Sequence, residues 1–419
     1  MLGKAIYNLS MALMSAGLSA ASVFNPRARQ FTAGRKGLFR RIEKELGGNK
    51  QPVIWFHCAS LGEFEQARPV MERFRKENPT YKIVLTFFSP SGYEVRKDYG
   101  GADYIFYLPL DSSSNARRFL DLVRPRMVCF VKYEFWYHYL NEVHSRGIPL
   151  VIFSAIFRKD QIFFKRHGAF NRKMLHFFDR LFVQNQESVD LLRSVGVETG
   201  IRVGDTRFDR VKEISEQAKP VPAVDAFIGN SEVMIVGSSW MSDMEVLFPL
   251  INRQLPNLKF IIAPHNIREN ELSDIENGVE ASCIRYSKTD PAEASSRQVL
   301  LIDNIGMLSS LYRYADYAYV GGAFNKGLHN TAEAAVYGCP VFFGHDQTNR
   351  KFKEAVDLVH AGGAFEVSDA ADLTQKFEAL YNDKTLKKNA GERSKAYIEE
   401  NLGATARIVE YLNQKGREA

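Results

Sequence analysis

"LHNTAEAAVYGCPVFFG", Leu328 to Gly344, reads as loop, short helix, turn and strand. The helix opens at Asn330-Thr331, carries one acid, Glu333, and surrounds it with small Ala332, Ala334 and Ala335. A plain surface helix would show more charge; this one is composed to lie close against a sheet. Just upstream, "YAYVGG" (317–322) is a strand that ends in two glycines. Strand, glycine loop, helix and strand in succession make a parallel βαβ unit.

The same alternation runs outward from that stretch. Short apolar runs recur at 53–56, 82–88, 104–108, 127–131, 150–154 and 180–184, with helical segments such as Glu65 to Lys76 and Ser112 to Val123 between them. Strands covered on both faces read as such continuous apolar runs. Residues 51–218 are therefore one doubly wound, Rossmann-like α/β domain. "KPVPA" (219–223) reads as a linker, because its two prolines stiffen the chain and oppose helix. Strand-like runs resume at 233–239, 259–264, 298–303, 317–322, 340–344 and 363–367, so a second such domain occupies 224–419, with a mostly helical tail from Asp372 to Asn413. Two doubly wound domains are expected to face a central cleft, with ligands outside the carboxyl ends of the strands.

A length of 419 residues accommodates two cores. The cysteines, Cys58, Cys129, Cys283 and Cys339, stand far apart, which suggests neither a disulfide framework nor a zinc knuckle and fits a reducing compartment. The net charge is +6, but residues 1–50 hold nine basic and two acidic residues, or +7, leaving −1 for the rest. The excess is a local device, which argues against a general nucleic-acid coat. It adjoins the uncharged apolar stretch Ala5 to Phe24. That stretch is about long enough to span a bilayer, although Asn8 and four serines weaken a spanning helix. An interfacial anchor fits better; a soluble helix packed on its own domain is the alternative. Residues 1–50 are thus expected to associate with a membrane, with Arg27 to Arg41 facing anionic lipid at roughly 1 kcal/mol per basic residue and the body in the cytoplasm.

Polar residues at strand ends are the candidate site. "GSSWMSDME" (237–245) opens a helix after a strand; Gly237 admits close backbone approach, and Ser238 and Ser239 offer hydroxyls and N–H groups to an anion, or simply cap the helix. Gly306 in "DNIGMLSSLY" marks a phosphate-admitting loop or an ordinary βα turn. Pro264, His265 and Asn266 follow another strand, where a lone histidine is either a ligand or a structural residue. The helix at Asn330 suits a phosphate, and Glu333 is placed to accept from two vicinal sugar hydroxyls, or to favour the positive end of its helix. Three such loops in one domain favour a nucleotide.

The first domain carries acids instead. In "WFHCASLGEFEQARPV" (55–70) Gly62 frees the backbone after Ser60 and Glu63 projects at the strand end, as a general base or as an acid on a helix start. Glu134 follows another strand in "VKYEFWYHYL". No HExxH, Walker loop or metal-spaced cluster is present, so neither metal nor cofactor is expected. "IFRKDQIFFKRHGAFNRKML" (156–175) interleaves Arg158, Lys159, Lys165 and Arg166 with aromatics. It suits a phosphorylated, acylated lipid, single-stranded nucleic acid, or a solvated amphipathic helix with a buried Phe face.

Together the motifs resemble the 3-deoxy-D-manno-octulosonic acid (Kdo) transferases of lipopolysaccharide synthesis, which are GT-B glycosyltransferases. The resemblance rests on "HCASLGEFEQARP", "FFSPSGYE", "YLPLD", "VKYEFW", "SAIFRK", "VQNQESVDLLRSVGV", "VGDTRFD", "GSSW", "DNIGML" and "GGAFNKGLHNTAEAAVYGCPVFFG", in order along nearly the whole chain. It implies transfer of Kdo from CMP-Kdo, a substrate and not a cofactor, to a lipid A precursor at the cytoplasmic face of the inner membrane, with no nucleic-acid partner. It places the catalytic base at Glu63, a second acid at Glu134, and the nucleotide-sugar loops at Ser238, Ser239 and Trp240, Pro264 and His265, Ile305, Gly306 and Met307, and Asn330, Thr331 and Glu333. Ser60, Gly62 and Ser91, with Arg158, Lys159, Lys165 and Arg166, fall on the acceptor and membrane side, and Arg207 is the candidate partner of the Kdo carboxylate. The chain departs from the family pattern at His265-Asn266-Ile267, Leu328, Ala334 and Tyr137. Transfer is expected to invert the sugar and need no metal. Two rivals stand: another GT-B enzyme acting on a UDP-sugar (a transferase or a 2-epimerase), and a membrane-docked RNA-binding scaffold.

Overall fold

The computed structural model describes residues 2–290, 294–324 and 327–418. The chain forms two compact units, residues 1–210 with 402–419, and residues 211–401.

The first unit is built on seven parallel strands, β1 (Val53–Cys58), β2 (Lys82–Phe87), β3 (Tyr104–Tyr107), β4 (Pro125–Val131), β5 (Leu150–Ala155), β6 (Arg180–Val183) and β7 (Gly200–Arg202). Their order is β3-β2-β1-β4-β5-β6-β7, so the winding reverses between β1 and β4. That reversal opens a crevice at the carboxyl ends of these two strands. Every residue of β1 is buried, as the continuous apolar run implies.

The second unit repeats the plan with β8 (Glu232–Ser239), β9 (Leu258–Pro264), β10 (Cys283–Arg285), β11 (Val299–Leu301), β12 (Tyr317–Val320), β13 (Val341–Gly344) and β14 (Ala364–Val367). The order is β10-β11-β9-β8-β12-β13-β14, with the reversal between β8 and β12. The edge strands β7 and β10 are absent from the sequence expectation. Each has only three residues and no apolar run to announce it.

Three boundaries differ from expectation. Helix Ala404–Glu418 belongs to the first unit, not the second: Ile408, Val409 and Leu412 join the core of Phe64, Val70 and Phe74, and Asp209 accepts hydrogen bonds from the N–H groups of Gly403 and Thr405 at 2.7 Å each. Residues 219–223 are not a free linker. The N–H of Val221 donates to the Tyr314 hydroxyl at 2.7 Å, and Pro222 starts helix Pro222–Ile228, where its missing N–H costs nothing. Residues 1–50 are not a separate segment either. Leu38, Ile42 and Leu46, one stripe of helix Leu38–Leu46, are buried in the first core.

The basic residues of the start are not all at the surface. The Arg35 guanidinium donates to the carbonyls of Phe31 (3.0 Å), Phe88 (2.7 Å) and Leu108 (2.9 Å) and lies 3.6 Å from the Phe31 ring centroid. It is an internal brace for the chain leaving β2 and β3, and burial lowers its pKa to about 10. Arg29 donates to the carbonyls of Ser22 and Val23, closing the end of helix Leu2–Ala21. Among the described residues no single helix is long and apolar enough to cross a membrane. Helix Leu2–Ala21 and helix Pro26–Ala33, bent by 119°, pass that test only as a pair.

Candidate active site

In the first unit the expected acids lie at the carboxyl ends of β1 and β4, on either side of the winding reversal. Glu63 sits in the first turn of helix Leu61–Glu77, and its Oε2 accepts from the Ser60 N–H at 2.9 Å and from the Ser60 hydroxyl. The carboxylate therefore closes its own helix start through one oxygen. Gly62 does not free the backbone as expected: it is an ordinary helical residue, and a Cβ there would meet only Ser60 Oγ, at 3.8 Å. Its missing side chain leaves open space beside Ser60 and Glu63. Ser91 lies in a neighbouring turn, its N–H 3.2 Å from Ser89 Oγ, and buried Gly92 packs that turn against Ser60.

Glu134 is largely enclosed, with 15% of its side chain exposed. Its Oε2 accepts from Trp136 Nε1 at 2.6 Å and lies 3.4 Å from Nε2 of buried His57. The other ring nitrogen of His57 is 2.9 Å from Thr86 Oγ1, which also accepts from Trp55 Nε1 at 2.8 Å. A polar chain thus runs from the core of the sheet to Glu134. His57 was not among the expected site residues; its place near the end of β1, just after Trp55 and Phe56, was the available signal. Burial raises the pKa of the adjacent Tyr133 hydroxyl, and Arg158, hydrogen-bonded to it, opposes that shift.

The 156–175 stretch is not one amphipathic helix. It folds as a short 3-10 turn, Ile162–Phe164, and helix Ala169–Leu175. Phe157 and Phe163 are buried, and Phe163 packs on Phe135 with ring centroids 4.7 Å apart. The buried rings are committed to the core, which leaves Arg158, Lys159, Lys165 and Arg166 exposed as cations. That surface offers charge to phosphates rather than ring faces to bases. Arg207, also in this unit, is paired with buried Asp205 at 3.0 Å; Gln66 and Gln184 donate to the same carboxylate.

In the second unit the loops after β8, β9 and β12 meet. The Trp240 ring stacks on His265 with centroids 4.2 Å apart and planes at 23°, and His265 is 4.9 Å from His329. Burial, with His265 close by, lowers the pKa of His329 and favours a neutral ring. Buried Asp243 ties the loops together: it accepts from the N–H groups of Trp240 and Gly322 at 2.9 Å each and from the Tyr319 hydroxyl at 3.2 Å. A Cβ on Gly321 would lie 2.6 Å from Ser239 Cα, so only glycine fits there. Asp243 and Gly321 were also not among the expected site residues.

Gly237 serves packing rather than a ligand, since a side chain there would strike the Tyr312 hydroxyl. Ser238 adopts the left-handed backbone, with φ 53°, and Gly306 does so at φ 98° between exposed Ile305 and half-buried Met307. Pro264 ends β9. Asn330 donates from Nδ2 to Glu333 Oε1 at 3.1 Å and accepts from the Ala332 N–H at 3.2 Å. The helix that follows is a single turn, Ala332–Ala335, so it offers far less of a dipole than the sequence suggested. Two buried hydroxyls beside these loops, Ser239 Oγ and Thr331 Oγ1, have no hydrogen-bond partner among the described residues. Asn325 and Lys326 of the glycine-rich motif lie outside those residues. No cluster of three or more His, Cys, Asp or Glu among the described residues could hold a metal ion.

Two seven-stranded parallel α/β units with polar loops at their carboxyl edges define the GT-B class of fold. Solved structures share it: UDP-GlcNAc 2-epimerase from Neisseria meningitidis (TM-score 0.62, 19% identity, 87% of this chain and 100% of that one) and MurG from Acinetobacter baumannii (TM-score 0.57, 12% identity, 87% and 99%). At such identities the likeness is one of fold alone. The family model described as 3-deoxy-D-manno-octulosonic-acid transferase (kdotransferase) matches residues 32–210. Relatives called 3-deoxy-D-manno-octulosonic acid transferase include those of Haemophilus influenzae (28% identity over 93% of this chain and 92% of that protein) and Aquifex aeolicus (28% over 83% and 91%). The chain is a glycosyltransferase, similar over most of its length to the Kdo transferases.

Proposed function

We propose that the chain transfers Kdo from CMP-Kdo to a lipid A precursor, with inversion and without a metal ion, at the cytoplasmic face of the inner membrane. The observation that carries the donor half is the convergence of the Trp240, His265 and His329 rings beside two unpartnered buried hydroxyls, at the carboxyl edge of the second sheet. Flat rings and spare hydroxyls suit a nucleotide. Glu333, held by Asn330, is assigned to ribose hydroxyls.

The acceptor half belongs to the first unit. A glucosamine hydroxyl gives its proton to Glu63 as its oxygen bonds to the Kdo anomeric carbon. The bond from that carbon to the CMP phosphate breaks, and the electron pair leaves on the phosphate. Glu134 lines the same strand-end region, and Arg158, Lys159, Lys165 and Arg166 are assigned to the acceptor phosphates. Arg207 is assigned to the Kdo carboxylate, an anion for which it must compete with Asp205.

The test is incubation of the purified chain with CMP-Kdo and a lipid A precursor, read by product mass. One or more added Kdo residues are expected, with turnover lost in Glu63→Ala. A folded Glu63→Ala protein that turns over normally removes Glu63 from the base role. Protection against thermal unfolding by UDP but not CMP would favour the UDP-sugar rival.

A further inference from the structure

We propose that Tyr7 and Asn8, on the N-terminal helix, are positioning residues that hold the Glu134–Trp136 loop, so that docking of the helix on a lipid surface is coupled to the first unit's acidic site. The inference rests on the membrane association and the role for Glu134 proposed above.

Helix Leu2–Ala21 shows two different faces. Leu2, Ile6, Leu9 and Leu13 form an exposed apolar stripe, with Leu9 and Leu13 61% and 64% exposed. At the elbow that follows, Phe24 is 89% exposed. Another face, Gly3, Tyr7, Met11, Met14 and Leu18, is half-buried. A stripe of large apolar side chains in water, opposite to one that touches protein, fits a helix lying in a lipid interface.

The half-buried face ends in a polar clamp. Tyr7 donates from its hydroxyl to Asp111 Oδ2 at 2.6 Å, and that hydroxyl accepts from the Tyr137 N–H at 3.2 Å. Asn8 Oδ1 accepts from His138 Nε2 at 2.7 Å. Buried Asp111 takes the next two N–H groups of the same turn, His138 at 3.0 Å and Tyr139 at 3.1 Å. Three successive backbone donors at the start of helix Tyr137–Ser145 are therefore fixed by Tyr7 and by the acid that Tyr7 holds. Close packing completes the clamp, since a side chain on Gly3 would come within 2.7 Å of Phe170 Cβ.

Glu134 and Trp136 are the residues that lead into this turn. A second route reaches them from helix Pro26–Ala33. Phe31 packs on Phe88 with centroids 5.1 Å apart, and Phe88 packs on Trp136 at 4.5 Å. Both helices of the apolar start thus bear on one loop. Trp136 donates to Glu134, so a shift of either helix is felt at the carboxylate.

The test uses the full chain and vesicles of phosphatidylethanolamine and phosphatidylglycerol, with no substrate. Sedimentation reports docking, and tryptophan emission reports the loop, with Trp136→Phe assigning the signal. The wild-type protein is expected to sediment and to change its emission. Tyr7→Phe, which keeps the ring, is expected to sediment but to lose that change. On acceptor embedded in the vesicles its kcat should fall about tenfold, the scale of one strong hydrogen bond, with KM for CMP-Kdo unaltered. Leu9→Glu with Leu13→Glu should abolish sedimentation. Should Tyr7→Phe melt early, Asn8→Ala serves instead, because it removes only the bond to His138. A wild-type protein that stays in the supernatant sinks the membrane reading and the coupling with it. A sedimenting protein whose emission change is the same in wild type and Tyr7→Phe, or absent from both, sinks the coupling alone, whatever sugar is transferred.

Discussion

Asp243 is the residue whose removal the second unit should feel most. Its Oδ2 accepts from the N–H groups of Trp240 and Gly322, and its Oδ1 from the Tyr319 hydroxyl. Asp243→Ala leaves two backbone donors from two loops without an acceptor. A buried donor so orphaned costs about 1–3 kcal/mol, and the Tyr319 hydroxyl adds to the loss, so destabilisation of about 3–5 kcal/mol is expected. For a unit of this size, about 2–4 °C accompanies each kcal/mol, which puts the midpoint down by on the order of 10 °C. Asp243→Asn should cost only about 1 kcal/mol, because an amide oxygen can still take both N–H groups while the Tyr319 hydroxyl turns to accept from the amide nitrogen. Scanning calorimetry gives the midpoints. Amide hydrogen exchange over 237–245 and 317–324 shows whether these loops loosen first. An alanine variant that melts within 2 °C of wild type, with unchanged exchange in both peptides, would refute the staple.

Three further outcomes follow from the same geometry. His329, with its pKa lowered by burial and by His265, keeps a neutral ring in the fold. Its stabilising contribution is complete above the unfolded value of about 6.5 and is lost as pH falls below it, because the unfolded chain takes the proton first; the midpoint of His329→Gln should therefore fall less than that of wild type between pH 7 and 5. Arg35→Lys should lower the midpoint, by about 1–3 kcal/mol, since an ammonium cannot match the fork that reaches the Phe31, Phe88 and Leu108 carbonyls, while vesicle sedimentation stays unchanged. A chelator should leave transfer from CMP-Kdo undiminished; loss of activity restored by a divalent cation would overturn the metal-free step.

The sheets were legible because a strand covered on both faces is apolar where it is buried, as residues 53–56 of β1 and 233–236 of β8 are. What fell outside was short, at an edge, or dependent on distant partners. β7 and β10 are too brief to carry a pattern. Arg35 looked like a surface cation because its acceptors, the carbonyls of Phe88 and Leu108, lie 53 and 73 residues away. The last helix has the same amphipathic pattern on either unit, and nothing local tells that Asp209 will take the N–H groups at its start. The candidate residues legible in the sequence, Glu63, Glu134 and Trp240, are those that follow strand ends. His57 was missed because a histidine between Phe56 and Cys58 in a buried strand carries no mark of the acid it faces.

Two acids show why the remaining site residues had no signature of their own. Asp111 in the first unit takes two successive backbone N–H groups and one tyrosine hydroxyl, that of Tyr7. Asp243 in the second takes two backbone N–H groups and one tyrosine hydroxyl, that of Tyr319. Burial raises the pKa of both carboxyls, and in each case the donors oppose that rise. Each acid fixes a loop beside the winding reversal of its sheet, where no ladder hydrogen bond reaches. A loop at such a point must leave its strands to meet a ligand, so its N–H groups need an acceptor from elsewhere. A short, charged side chain that accepts several bonds at once satisfies that need with one residue. The need arises from topology, so the acid that answers it is visible only once the strand order is known.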